Sequence, residues 1–455
     1  MSTDPQRLIS EFPMSRTQVV AVAMTVLLNA LDGYDVLSIS FASPGIAAEW
    51  GIDRAALGFV LAMELVGMGL GSILLGRVAD RIGRRLTMLG CLGIMTVGMF
   101  MVTTAGSIAG LSAWRVVTGL GIGGMLAAIN AVAAEFSNAR RKHLSVSLMT
   151  IGYPIGAVIG GTIAAELLEH HDWRSVFYLG TAMTAACIPL VWMLVPESVH
   201  WLARKRPRGA LEAINATLAR MGHAAIARLP DVRETGGSRS LTGILSPPLL
   251  LVTLIVTVAY FCHITTFYFV IKWVPKIVVD MSFEASSAVG VLVWANVGGA
   301  VGGALLGFLT MRYNVKALTI GVLLLSTLMV SVFGRSPADL ATLSLVAGAA
   351  GFFTNAGVVG LYALFAHCYP THVRASGTGF SIGIGRGGAM LSPVIAGLLF
   401  ESGMGLPAVA MIMALGSLLA VLALVFLRME SIGDERRAVE SGGGQILPGS
   451  AGPPS

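Results

Sequence analysis

QVVAVAMTVLLNALDGYDVLSISF, residues 18–41, is an apolar run long enough to cross a bilayer, and it carries two acids, Asp32 and Asp35. About 20 apolar residues span a hydrocarbon core roughly 30 Å thick. An ionised carboxylate in the middle of such a span costs roughly 2.5–3.5 kcal/mol on insertion scales, so acids at that depth face a bundle interior or an aqueous cavity. The run therefore predicts a membrane span and, within it, candidate proton carriers. Eleven further runs follow at 55–76, 88–106, 110–132, 144–167, 175–195, 248–271, 285–308, 317–334, 340–365, 375–399 and 405–427.

The composition agrees: 55% of the 455 residues are hydrophobic, 12% are charged, and the mean hydropathy is +0.79. Soluble domains carry about 25% charged residues. The fold class is thus an all-α membrane protein with twelve transmembrane helices. A pI near 9.3 could signal nucleic-acid binding, but the basic residues are distributed as topology demands. With the N-terminus inside, 23 of the 30 Lys and Arg fall in cytoplasmic segments. Five (Arg54, Arg174, Lys272, Lys276, Arg335) fall outside, and Arg115 and Arg386 fall within spans. That asymmetry predicts orientation, with both termini cytoplasmic and no nucleic acid as partner. The polar first 17 residues and the long run after them predict an uncleaved anchor. Cys91, Cys187, Cys262 and Cys368 are scattered without paired spacing, which argues against a disulfide framework or metal site. No metal-ligand cluster, nucleophile elbow or phosphate loop appears, so neither an enzyme nor a cofactor is expected.

The longest internal polar stretch, 196–247, divides the spans six and six and contains one amphipathic helix around 209–221. The expected organisation is a cytoplasmic segment 1–17, a bundle 18–195, the central loop 196–247, a second bundle 248–427 and a disordered cytoplasmic tail 428–455. A weak repeat supports two pseudo-symmetric halves. GRVADRIGRR at 76–85 is echoed by GFLTMRYNVK at 307–316, and IGYPIGAVIGG at 151–161 by IGRGGAMLSPVIAG at 384–397. Parallel repeats around a midplane site make the seam between halves the default binding region.

Gly76, Asp80, Arg81, Gly83, Arg84 and Arg85 in GRVADRIGRR match the loop signature of the major facilitator superfamily. Arg115 with GLGIGG, PESVHWLARK and PTHVRASGTGF extend the resemblance over most of the chain. Within the superfamily, DGYD at 32–35 resembles the Asp-Gly-aromatic-Asp motif of the aromatic acid:proton symporters, and the pattern around Arg386 is similar too. The resemblance implies the major facilitator fold, two six-helix bundles that rock about a central site. It also implies proton-coupled uptake of a benzoate- or hydroxybenzoate-like carboxylate through a bacterial inner membrane, with transport of a dicarboxylate, sugar or drug as the alternative. Lys272 in FVIKWVPK and His367 depart from the family pattern, as does the eroded second loop.

Asp32 and Asp35 lie three apart and share a helix face, with Gly33 between them allowing close backbone approach. They are the main proton-coupling candidates, Glu64 and His263 the secondary ones; structural pairing of the acids and a hydrogen-bonded histidine are the alternatives. A guanidinium stays charged and matches a carboxylate bidentately, so Arg115 and Arg386 are candidate substrate anchors or structural ion pairs. Tyr34 and Trp294 are candidate ring contacts, ahead of Tyr153, Phe267, Tyr268 and Phe380, and Asn130 and Asn296 candidate partners of ring hydroxyls. The 76–85 loop is the candidate gate: the resemblance implies that it stabilises the outward-open state, with Asp80 engaging the start of span eleven. The expected partners are a small aromatic acid, protons and the bilayer, and the expected state is a monomer.

Overall fold

The computed structural model describes residues 5–229, 244, 247–369 and 373–427. The tail from 428 and most of the central stretch from 230 lie outside the described residues. Fifteen α-helices and no strand occur among those described. Three are short: α1 (Pro5–Glu11), α8 (Val199–Lys205) and α9 (Ala210–Arg220). The other twelve are long and apolar enough to cross a membrane. They are α2 (Arg16–Trp50), α3 (Arg54–Ile82), α4 (Arg84–Thr103), α5 (Ile108–Glu135), α6 (Lys142–His170), α7 (Arg174–Leu194), α10 (Pro247–Asp280), α11 (Ala285–Leu309), α12 (Val315–Phe333), α13 (Leu340–Cys368), α14 (Arg374–Glu401) and α15 (Leu406–Val425).

Polar caps, more than the apolar runs, set the helix ends. Ser15 and Gln18 form a capping box at the start of α2, which ends at the left-handed Gly51. Asp53 then accepts from the Ala56 amide at 2.6 Å to start α3. Such side-chain acceptors satisfy amides that a first helical turn leaves free. So capped, α2 runs to Trp50 rather than 41; α10 likewise continues to Asp280 rather than 271. The second extension corrects the placement of Lys272. It is not in an outer segment but inside α10 and fully buried.

Helices α2–α7 pack into one bundle, led by α3 on α5, α2 on α6, and α4 on α5 and α7; α10–α15 form the other, led by α11 on α13 and α10 on α14 and α15. The two meet along α3 with α14, α6 with α11 and α2 with α10. The end where α2 begins and α15 finishes is here termed the terminal end, and the opposite one the far end. One apolar core at the far end is shared by both bundles, Leu57, Val60 and Leu61 packing with Trp273, Val274, Ala396 and Phe400. Toward the terminal end the cores separate, one made from the first bundle and its short helices, the other almost wholly from the second. Polar contacts follow the same gradient along α3. Arg54 reaches Asp280 at 3.0 Å and its amide donates to Glu401 at 3.2 Å. Glu64 meets Lys272 at mid-depth, and Met68 and Ser72 accept from Arg386. Beyond Ser72, α3 makes no cross-bundle hydrogen bond or ion pair among the described residues. The bundles are closed at the far end and part toward the terminal end.

Close approach of α3 and α5 places the site. A methyl group on Gly119 would run into the Glu64 carbonyl, its carbon at 2.9 Å and the Met68 nitrogen at 3.0 Å. Small residues let helices in lipid come this near, and the backbone contact sets Glu64 beside Arg115. Alanine is the better helix former by about 1 kcal/mol, so propensity alone makes Gly119→Ala stabilising. Overpacking costs about 1–3 kcal/mol, and the expected outcome is a lower unfolding temperature in detergent; a rise contradicts the close-approach reading.

Candidate functional site

Glu64 of α3 is the hub of a fully buried charge cluster. One carboxylate oxygen lies 2.5 Å from an Arg115 nitrogen, an ion pair without the alignment of a hydrogen bond, and the other accepts from Lys272 at 3.3 Å. Arg115 belongs to α5 in the same bundle, whereas Lys272 crosses the seam from α10. Lys272 also donates to the Val36 carbonyl of α2. Arg115 donates to the Asp35 main-chain oxygen at 3.1 Å and to the Ser38 hydroxyl at 3.3 Å, with its guanidinium over the Phe177 ring at 5.5 Å. These contacts tie α5 to α2 and α3 within the bundle. Arg115 is thus in an ion pair here, with Glu64 as partner rather than Asp32 or Asp35.

Asp32 and Asp35 lie beside this cluster, 2% and 0% exposed, and all four of their carboxylate oxygens lack a hydrogen-bond partner. The Tyr153 carbonyl packs against Gly33, so α2 and α6 touch between the two acids. Burying a carboxylate with neither counter-ion nor donor costs several kcal/mol. Such a pair is costly to keep without a task.

Arg386 of α14 is half-buried and crosses the seam in the other direction, donating to the Ser72 hydroxyl at 2.8 Å and the Met68 carbonyl at 3.2 Å. No acid faces it at ion-pair distance among the described residues. Glu64 to Ser72 is two turns of α3, so Arg386 engages the seam about 6–12 Å nearer the terminal end than Lys272 does.

Several expected residues stand elsewhere. Tyr34 points into its own bundle, its hydroxyl donating to the Val176 carbonyl at 2.6 Å. Trp294 is 57% exposed, and Val301, Leu305 and Phe308 of α11 are exposed in similar degree. Residues 7, 11 and 14 apart lie on one helix face. His263 is buried within the second bundle, both ring nitrogens engaged, with the Ser417 hydroxyl at 2.9 Å and the Thr354 carbonyl at 2.8 Å. It does not join the acidic cluster. Asn130 and Asn296 donate to carbonyls of their own helices, Leu126 and Leu292. Tyr153, Phe267, Tyr268 and Phe380 are partly exposed.

At the terminal end, Gly83 joins α3 to α4 with φ of 107°, a conformation that favours glycine. The Glu197 carboxylate packs there and accepts from the Arg84 amide at 2.8 Å, the Arg85 amide at 3.2 Å and the Ser198 amide at 2.8 Å. Burial holds this carboxyl above its ordinary value although those amides and Arg84 pull it down. Arg84 also pairs with Asp80 at 3.1 Å and Glu135 at 3.2 Å, and Arg85 stacks on Trp192. Asp80 is half-exposed, and its pairing with Arg84 keeps it within its own bundle. Arg81 is exposed, and Gly76 makes only ordinary contact with Ala127. Sequence reasoning missed the roles of Glu197 and Glu135, though Glu197 stood in the PES motif.

The family model described as Major Facilitator Superfamily matches residues 25–300. The chain belongs to this superfamily. Among curated relatives of this superfamily member, the gallate transporter of Pseudomonas putida is 29% identical over 427 residues, covering 92% of this chain and 93% of that protein. The 4-hydroxybenzoate transporter PcaK of Pseudomonas putida is 30% identical over 402 residues, covering 86% and 88%. The crystal structure of a D-xylose-proton symporter superposes with a TM-score of 0.68 at 17% identity, covering 90% of this chain and 96% of that one, a likeness of fold. The protein is a multi-pass membrane transporter of the major facilitator fold, not an enzyme.

Removing one member of a buried ion pair costs about 3–5 kcal/mol when it strands a charge. Glu64→Gln strands both Arg115 and Lys272, whereas Lys272→Gln leaves Glu64 still paired with Arg115. Thermal unfolding of the purified variants is expected to rank Glu64→Gln well below Lys272→Gln. The reverse order contradicts Glu64 as the hub.

Proposed function

We propose that this superfamily member imports a small aromatic carboxylate together with a proton across a bacterial inner membrane, by alternating access and without a cofactor. In this reading both termini are cytoplasmic and the far end is periplasmic, so the state described opens to the cytoplasm. The gallate and 4-hydroxybenzoate specificities of the relatives support the substrate class. The unpartnered, buried Asp32/Asp35 pair is the observation that carries the coupling. A carboxylic acid tolerates a dry bundle where an unpaired carboxylate does not. A bound proton thus lets the pair remain buried, and its loss needs water. Arg386 offers the substrate carboxylate a cation in the cytoplasm-open state, because no acid competes for it there.

The stoichiometry has an electrical consequence. Moving one charge across the membrane is worth about 2.3 kcal/mol per 100 mV, and a monovalent anion with one proton moves none. Accumulation then draws on the pH gradient alone.

Proteoliposomes with an imposed pH gradient test the reading with radiolabelled 4-hydroxybenzoate, benzoate and gallate. Wild-type protein is expected to concentrate at least one of them, with the pH gradient and not a potassium diffusion potential as the driver. Asp32→Asn or Asp35→Asn is expected to abolish uphill uptake, by about 100-fold or more, while downhill exchange persists. Undiminished accumulation by both variants excludes the pair as the coupling site.

A further inference from the structure

We propose that Lys272 is the first carboxylate-binding residue of the transport cycle, and that Glu64 is the internal anion that displaces the substrate from it. The inference rests on the reading of an anionic substrate. In the state described, the single carboxylate of Glu64 serves two buried cations, Arg115 from its own bundle and Lys272 from the other. When the far end opens the bundles separate, and these two contacts cannot share one fate. Arg115 and Glu64 travel together on α5 and α3, whose backbones are locked at Gly119. Lys272 travels with α10. It loses both of its partners at once, because the Val36 carbonyl and Glu64 belong to the first bundle.

An ammonium group left at the seam without a counter-charge attracts an anion strongly. Arg115 keeps Glu64, and Asp32 and Asp35 remain with the first bundle. A substrate carboxylate would then take the position on Lys272 that Glu64 occupies here. Closure of the far end reverses the exchange. Glu64 returns to Lys272, the two carboxylates cannot occupy the same place, and the substrate is passed toward Arg386, one to two turns of α3 nearer the terminal end. The Val36 carbonyl, next along α2 from Asp35, ties this exchange to the helix that carries the acid pair. Lys272 is therefore a specificity-determining cation for the monocarboxylate, and the handover gives release a direction.

The test separates binding from structure. Concentration-dependent uptake of radiolabelled 4-hydroxybenzoate, or gallate if only that acid is carried, is measured for wild type, Lys272→Gln and Lys272→Arg, with unfolding temperature as the check on folding. Lys272→Gln is expected to raise KM by about tenfold or more, whereas Lys272→Arg keeps KM within about threefold of wild type. A KM unchanged in Lys272→Gln, with only kcat reduced, overturns the inference and leaves Lys272 as a structural tie between the bundles. If Lys272→Gln does not fold, Lys272→Met takes its place: a KM raised about tenfold or more supports the inference, and an unchanged KM overturns it. Wild-type protein that carries none of the acids overturns the anionic-substrate reading itself, a result that does not involve the variants.

Discussion

One buried carboxylate, Glu64, neutralises a cation from each bundle, and the architecture at mid-membrane follows from that arrangement. Within the first bundle the Arg115 contact ties α3 to α5, and through the Asp35 carbonyl and Ser38 hydroxyl it ties both to α2. Across the seam the Lys272 contact adds a polar lock to the apolar far-end core of Leu61, Trp273 and Phe400. Fully buried ion pairs are poor sources of net stability, because desolvation offsets the attraction. Their value lies in discrimination between states. An apolar contact in the same place would hold the bundles together without offering an anionic solute anything to replace.

The polar residues around this hub divide by the bundle that carries them. Asp32, Asp35, Glu64 and Arg115 move with the first bundle, and Lys272 and Arg386 with the second. The acids and the cations nearest the seam thus change their relation whenever the bundles rock. A ligand shifts such an equilibrium only by its differential affinity for the two states. In the proposed cycle proton binding would act on the first set and carboxylate binding on the second, so each would bias the same motion. At the terminal end, the Glu197 carboxylate pins the α3–α4 turn and Arg84 gathers Asp80 and Glu135. These contacts make that end of the first bundle a self-contained unit when it is not engaged with the second.

The twelve spans were legible because hydrocarbon thickness imposes a length that the apolar runs repeat. The buried acids were legible because their cost at that depth has few structural excuses. Helix ends were less so: α2 and α10 continue past their apolar runs, which is why Lys272 read as an outer residue. Side-chain direction was least legible. Interior, seam and lipid-facing surfaces of these helices are all apolar, so the periodicity that locates the core of a soluble protein carries little signal. Tyr34 turned into its bundle for that reason, and His263 found both hydrogen-bond partners on helices distant in sequence. Glu64 and Arg115 were visible as isolated charges, but their pairing depends on the Gly119 contact, which only the packed helices reveal.

The claim that the cross-bundle charge contact holds the far end closed is tested most directly by a distance measurement between the bundles. Spin labels at Ala48 and Ser282, on far-end segments of the two bundles, report separation by double electron–electron resonance in a cysteine-free background. Wild-type protein should give one short-distance population, and Lys272→Gln should add a longer-distance population that grows at the expense of the first. An identical distribution in the two proteins would contradict the claim.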